Sequence, residues 1–249
     1  FAILPTYKES REANRASDQS AADDHAAYKA AVPVIQVMLE NMGVPQLLHP
    51  DLEADDLAGM MVHKFPGPKM IITGDSDWLQ LVDADTMWFD PRRDGKKIHI
   101  GNFHEATGYA TPEEYLNGKV LIGDTSDDIP GIDGMGKKTA AEFIARWRTI
   151  AAFYAAIDSG SAKPATRKSK TASTPHPEEI LVSEHGRAIV ARNFKLMDLR
   201  NMAIDDVSRL RVKSGSFNEQ NLRTLFERLG FVSILREWEA WIKPIKGKA

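Results

Sequence analysis

Residues 121–144 read LIGDTSDDIPGIDGMGKKTAAEFI, and two unlike chemistries sit side by side in them. Asp124, Asp127 and Asp128 suit a hard divalent cation, which takes oxygen ligands. Gly134 and Gly136 then run into Lys137, Lys138, Thr139 and an apolar helical pattern. Glycines ahead of a helix let the backbone approach a ligand, and the first free N–H groups with the helix dipole hold a negative oxygen there. An element of this kind grips one phosphodiester strand without reading bases, because backbone contacts position and do not specify. An acidic turn followed by an ordinary helix with a glycine-rich start accounts for the same residues, so the flanking sequence has to decide.

Upstream, TPEEYLNGKVLIG (111–123) places Pro112 at a helix start with Glu113 and Glu114 in the first turn. Before it, TMWFDPRRDGKKIHIG (86–101) reads as a β-hairpin turning at Asp94-Gly95, with Arg92, Arg93, Lys96 and Lys97 in a solvated turn. KMIITGDSDWLQLV (69–82) gives a buried-strand candidate over 69–73, a turn at Gly74 and a helix start at 78–82. Asp75 and Asp77 therefore emerge just past the C-terminal end of a strand, where open α/β sheets bind ligands. An Asp-capped polar turn is the plainer reading of that pair.

PDLEADDLAGMMV (50–62) opens a helix on Glu53, Asp55 and Asp56, with Leu57, Met60, Met61 and Val62 as its apolar partners. Acidic residues stabilise helix N-termini by about 0.3 to 1 kcal/mol each. Three carboxylates in four positions exceed what capping needs, because they repel one another unless a cation neutralises them. Still further upstream, residues 12–42 read as an alanine-rich helix or helix pair, with Val32, Ile35, Val37, Met38 and Leu39 on an apolar face. Pro33 is expected to start its second half, Gly43 to close it, and VPQLLH (44–49) to form a short strand. Tyr7 and Arg11 share a helical face with Lys8 beside them. A cation pair with an aromatic can clamp a phosphate and an unpaired base, although on these three residues alone a solvated face is the better reading.

Downstream, RTIAAFYAAIDSG (148–160) closes a helix, and SGSAKPATRKSKTASTPHP (159–177) is a linker carrying Lys163, Arg167, Lys168 and Lys170 with no acidic residue from Gly160 to Pro177. A further helix is expected over 180–199, with Arg187, Arg192 and Lys195 on its polar side. The segment 216–242 supplies amphipathic helices with Leu222, Leu225, Phe226, Leu229, Phe231, Ile234 and Leu235 as core. At 249 residues, 43% hydrophobic and 27% charged, the chain can bury a substantial core in one large domain or two small ones. Its formal charge of −3 leaves any nucleic-acid contact to local basic patches beside an acidic site. The absence of cysteine excludes disulfides, thiolate zinc sites and a cysteine nucleophile, and fits a reducing cytoplasm. No membrane span is visible, and the seven histidines show no metal-ligand spacing.

In order, EADD (53–56), TGDSDW (73–78) and the run from Thr111 to Ala140 resemble the 5′-nuclease family: bacteriophage flap endonucleases and 5′→3′ exonucleases, and the 5′-nuclease domain of bacterial DNA polymerase I. The similarity runs from about Leu4 to Trp147. It implies an α/β fold, Rossmann-like (PIN-like), with a mostly parallel central sheet flanked by helices, a helical arch and a helix-three-turn-helix subdomain. Residues 1–120 would be a partial N-terminal nuclease domain, and 121–249 the helix-three-turn-helix with the C-terminal helices.

By position, the resemblance assigns Glu53, Asp55, Asp56, Asp75, Asp77, Asp124 and Asp127 to two Mg²⁺ or Mn²⁺ ions. Tyr7, Lys8 and Arg11 match the base of the family's arch and would orient the scissile phosphate, which reverses the solvated reading. Gly134, Gly136, Lys137, Lys138 and Thr139 would hold duplex DNA, with a K⁺ ion. The implied activity is two-metal hydrolysis of phosphodiesters near single-strand/duplex junctions in replication and repair, on DNA with a free 5′ end or flap or on an RNA–DNA hybrid. The implied setting is a cytoplasmic monomer in a bacterial or phage-infected cell. Family members also carry an early metal-binding aspartate on a first strand and another shortly before the arch. Neither has a counterpart here, so both are expected upstream of Phe1, and the chain is expected to be an N-terminally truncated fragment. A non-catalytic DNA-junction binder, or an inactive fragment, stays open as the alternative. A metal-dependent phosphatase on a similar sheet is a weaker one, against which the Gly134–Thr139 stretch argues.

Overall fold

The computed structural model describes residues 3–92, 94–167, 174–201 and 207–247. Arg93 of the hairpin and Lys168 and Lys170 of the basic linker lie outside the described residues. The first helices are α1 (Glu9–Ser17) and α2 (Gln19–Asn41), separated by Asp18, whose carboxylate accepts the Ser20 and Ala21 N–H groups and so starts α2. There follow β1 (Gln46–Leu48), α3 (Ala54–Val62), β2 (Lys69–Ile72), a 3₁₀ turn at Ser76–Leu81, β3 (Thr86–Asp90), β4 (Lys96–Ile98), α4 (Phe103–Thr107) and α5 (Pro112–Ile122). Beyond them come β5 (Gly123–Asp124), β6 (Ile129–Pro130), α6 (Lys137–Trp147), α7 (Ile150–Asp158), α8 (Pro177–Val182) and α9 (Glu184–Met197). The chain continues with β7 (Arg211–Lys213), α10 (Glu219–Leu229), α11 (Val232–Arg236) and α12 (Trp238–Lys246). The architecture is α/β and rich in helix.

By compactness the chain divides into two units, Phe1–Glu12 with Ala54–Ala203, and Ala13–Glu53 with Ile204–Ala249. The first unit carries a three-stranded sheet in the order β2-β3-β4. β2 and β3 run parallel with Lys69 opposite Thr86, and β3 and β4 antiparallel with Trp88 opposite Ile98. The hairpin between β3 and β4 closes at Asp94 and Gly95, both at positive φ (50° and 69°), the conformation that matches strand twist in a tight turn. β2 is not the buried strand the sequence suggests. Ile71 is buried, but Met70 and Ile72, on the opposite face, are 46% and 64% exposed, and among the described residues β2 has β3 as its one hydrogen-bonded neighbour.

The main core of this unit is helical. Leu116, Val120 and Leu121 of α5, Ala140, Phe143 and Ile144 of α6, Ile150 and Phe153 of α7, and Leu181 of α8 form one buried cluster, each large side chain contributing about 1.5–3 kcal/mol by leaving water. The Phe143 and Phe153 rings meet edge to face at 5.0 Å.

In the second unit β1 pairs antiparallel with β7, and Leu222, Phe226, Trp238 and Ile242 form a core against which Met38 of α2 and Met42 at its C-cap pack. Pro33 sits inside α2 and starts nothing. The hydrogen bond it removes is tolerated because tertiary packing further along holds the helix. Ile35 and Val37 are 42% and 45% exposed, and Leu229 and Phe231 each 39%, so these expected core residues lie at the surface. Among the described residues no helix is long and apolar enough to cross a membrane.

Candidate active site

The stretch around Asp124 is shaped by glycine. Gly123 ends α5 at φ 77°, and a Cβ there would stand 2.3 Å from the Ile129 carbonyl oxygen, so only glycine lets β5 and β6 close on each other. The next residue, Asp124, accepts the Ser126 N–H at 2.8 Å and the Ser126 hydroxyl at 2.6 Å through Oδ1, which bends residues 125–127 into a 3₁₀ turn. Asp75 does the same after β2. Its Oδ1 accepts the Asp77 N–H at 2.8 Å and caps the 3₁₀ turn Ser76–Leu81. The capping reading of these aspartates is therefore correct as far as one oxygen of each is concerned.

What joins the two turns is a residue to which the sequence reading gives no role. Lys119, on the last turn of α5, donates to Asp77 Oδ1 at 2.6 Å and to Asp124 Oδ2 at 3.1 Å. Burial alone would lower the Lys119 pKa, but Asp77 and Asp124 beside it more than offset that, so it stays protonated. Burial raises the Asp77 pKa, against the pull of Lys119 and with a further push from Asp75 and Asp124. Asp124 is also penalised by burial, yet its Ser126 hydrogen bond and Lys119 hold it below the ordinary carboxylate value. Gln80 anchors the same turn from behind. It donates to the Asp77 carbonyl at 2.9 Å and the Met197 carbonyl at 3.0 Å, and accepts the Leu199 N–H at 2.8 Å.

Tyr7, Lys8 and Arg11 converge on Asp127. Arg11 Nη2 lies 2.5 Å from Asp127 Oδ1, Lys8 Nζ 3.9 Å from Oδ2, and the Tyr7 hydroxyl donates to Oδ2 at 3.5 Å. The Lys8 ammonium also stands over the Tyr7 ring at 4.7 Å. Asp55, on the first turn of α3, accepts the Trp78 indole N–H at 2.7 Å, which places it beside the Asp75–Asp77 turn. Asp56 lies on the same turn of α3. Glu53 ends a segment of the second unit.

Gly134 is at φ 77° with Pro177 Cγ 3.1 Å from where a Cβ would be, and Gly136 caps α6 with open space around it. Gly134, Gly136, Lys137 and Lys138 are exposed, Thr139 is half-buried, and the first turn of α6 holds no acidic residue. Among the described residues no side chain caps its first turn, and the two lysines there are exposed, features suited to a phosphate oxygen.

The site is thus rich in carboxylates whose oxygens are engaged by ammonium, guanidinium, indole and backbone donors. Among the described residues no group of three or more His, Asp or Glu side chains stands close enough to hold a metal ion. The donor set still fits a hard cation. All its ligands are carboxylate oxygens, and Lys119 marks a point where Asp77 and Asp124 already share one positive charge. Sequence reasoning missed Lys119 because a lysine near a helix C-terminus reads as a partner of the dipole. It missed Gln80 because nothing local distinguishes a buried glutamine from an exposed one.

Residues 2–108 match the family model described as 5′-3′ exonuclease, N-terminal resolvase-like domain, and residues 110–205 match that of the 5′-3′ exonuclease, C-terminal SAM fold. A 5′-3′ exonuclease of Streptomyces coelicolor is 32% identical over 189 residues, covering 70% of this chain and 60% of that protein. The thermostable DNA polymerase I of Thermus filiformis is 27% identical over 246 residues, covering 95% of this chain and 26% of that protein. The chain therefore spans less than two thirds of the length of either relative. The bacteriophage T5 D15 flap endonuclease, crystallised as a pseudo-enzyme-product complex with DNA and metal ions, superposes with a TM-score of 0.62 at 19% identity, over 98% of this chain and 78% of that one. A likeness at that identity is one of fold.

Proposed function

The chain belongs to the 5′-3′ exonuclease family, and from that premise we propose that it is a structure-specific 5′-nuclease, hydrolysing phosphodiester bonds near single-strand/duplex junctions of DNA bearing a free 5′ end or flap. The observation that carries the reading is the double engagement of Lys119 by Asp77 and Asp124, which brings the two acidic turns to one place. Divalent cations, Mg²⁺ or Mn²⁺, held by Asp55, Asp56, Asp75, Asp77, Asp124 and Asp127 with Glu53 contributing, would supply an activated water and charge stabilisation for the leaving oxygen.

The remaining steps belong to the chain's own side chains. Lys8 and Arg11, now on Asp127, have the charge and geometry to take a phosphate in exchange and orient it for attack. Tyr7 offers an aromatic face to an unpaired base. Gly134, Gly136, Lys137, Lys138 and Thr139 hold the duplex by its backbone, with K⁺ as a further ligand of that turn, so that cleavage follows structure and not sequence. We assign residues 1–120 to the nuclease domain with its arch helix and 121–249 to the duplex-holding part, acting as a monomer in the cytoplasm, with RNA–DNA hybrid as a second substrate.

A second reading, a DNA-junction binder without catalysis, is favoured by one observation: the lack among the described residues of three carboxylates gathered for a metal. Cleavage of an end-labelled 5′-flap duplex with Mg²⁺ or Mn²⁺ separates the two, assayed for this chain, for the full natural polypeptide and for Asp124→Ala. Metal-dependent cutting near the junction that Asp124→Ala abolishes by about a thousandfold or more, with junction affinity retained, supports the nuclease. Binding with no cutting in either form supports the binder.

A further inference from the structure

We propose that Asp128 is a positioning residue that sets Lys8 and Arg11 against the acidic turn by capping α1 from outside the helix; the proposal rests on the nuclease reading above. Asp128 adopts a left-handed conformation (φ 57°, ψ 33°), which aspartate, asparagine and glycine tolerate best among the residues. Its Oδ2 accepts both the Ser10 N–H and the Ser10 hydroxyl, each at 2.8 Å. Ser10 is the second residue of α1, and an N–H in that position has no acceptor within the helix. The cap is therefore supplied by a residue 118 positions away in the chain, and its carboxylate faces the positive end of the helix dipole.

Other bonds bind the same two segments along their length. The Lys8 N–H donates to the Asp127 carbonyl at 3.1 Å, and Arg11 Nε donates to the Ser126 carbonyl at 3.0 Å. Lys8 itself is at φ 60°, a conformation a lysine keeps only where its surroundings impose it. The start of α1 is laid against residues 126–128, and Asp128 is the side chain of that turn that closes on the helix end. Without it the first turn of α1 frays, and Lys8 and Arg11 lose their fixed placement over Asp127. The proposed duplex-holding residues Gly134–Thr139 take no part in the bonds described here between α1 and residues 126–128, so substrate affinity and catalytic placement are expected to separate.

Asp128→Gly keeps the left-handed backbone and deletes the carboxylate. Asp128→Asn keeps an oxygen that can accept from Ser10. Ser10→Ala removes one of the two bonds and leaves every carboxylate in place. Each is compared with the unaltered chain in steady-state cleavage of the flap duplex and in amide hydrogen exchange of residues 9–12. The expected result is a kcat lowered about tenfold or more by Asp128→Gly with KM changed less than about twofold, and faster exchange in the first turn of α1. Ser10→Ala moves both in the same direction by less, and Asp128→Asn restores most of both. Unchanged kcat and exchange in Asp128→Gly, a rise in KM alone, or failure of Asp128→Asn to rescue overturns the proposal. If neither the unaltered chain nor the full natural polypeptide cuts, the nuclease reading falls, and the exchange comparison still decides whether Asp128 orders α1.

Discussion

Lys119 Nζ donates to Asp77 Oδ1 at 2.6 Å, tying the last turn of α5 to the 3₁₀ turn after β2 across 42 positions of sequence. A half-buried ammonium between two carboxylates holds the place that the proposed cation would compete for. Lys119→Met is expected to destabilise the metal-free protein by about 1–3 kcal/mol, because Asp77 and Asp124 are left facing each other. Millimolar Mg²⁺ is expected to recover more stability in this variant than in the parent. Urea unfolding with and without Mg²⁺ measures both, and an equal Mg²⁺ increment in the two proteins would place the ion elsewhere.

Acid is expected to weaken the same turn. The folded-state pKa of Asp124 lies below the ordinary 3.8, so the ionised form is the one the fold favours. Its contribution is fully present above about pH 4 and is lost as the pH falls through the depressed folded value. The stability difference between the parent and Asp124→Asn in metal-free buffer should therefore shrink steadily below about pH 4; a difference that stays constant to pH 2 would sink the assignment.

Gln80 is 4% exposed and uses its amide on three backbone groups at once. Gln80→Leu fills the same space but leaves the Asp77 and Met197 carbonyls and the Leu199 N–H without that partner. The expected loss is about 3 kcal/mol, read as a lower urea midpoint with an unchanged m-value. A loss under about 0.5 kcal/mol would mean that water replaces the amide without cost.

The two glycines before α6 should respond differently to alanine. Gly134→Ala meets both a left-handed backbone and Pro177, and is expected to cost about 1–2 kcal/mol of stability. Gly136, at φ −73° with nothing within 4 Å of a Cβ, should accept alanine with stability unchanged. On the proposed duplex contact its Cβ would then stand where a phosphate approaches, so Gly136→Ala is expected to weaken duplex binding severalfold in a titration at fixed salt. Unchanged binding by Gly136→Ala would remove this turn from the duplex interface.

The elements of this fold that announce themselves are those whose signals are local. Asp94-Gly95 specified its hairpin because only certain residues take positive φ, and Gly134, at φ 77°, marked the turn ahead of α6 for the same reason. The acidic turns at Asp75 and Asp124 were visible as spacing. Their convergence was not, since it depends on Lys119 bridging turns far apart in the chain. Burial misled where it depends on neighbours: Met70, Ile72, Ile35 and Val37 are apolar and periodic, yet exposed. Pro33 misled because a helix held by packing outlasts one missing bond.

The second compact unit is built from Ala13–Glu53 and Ile204–Ala249. On the ribosome its two halves are separated by Ala54–Ala203, the larger part of the first unit, which at about 5–20 residues per second takes roughly eight to thirty seconds to synthesise. Throughout that interval Met38 and Met42 lack α10 and α12, and β1 lacks β7. The nascent chain thus carries an apolar helix face and an open strand edge for far longer than either takes to form.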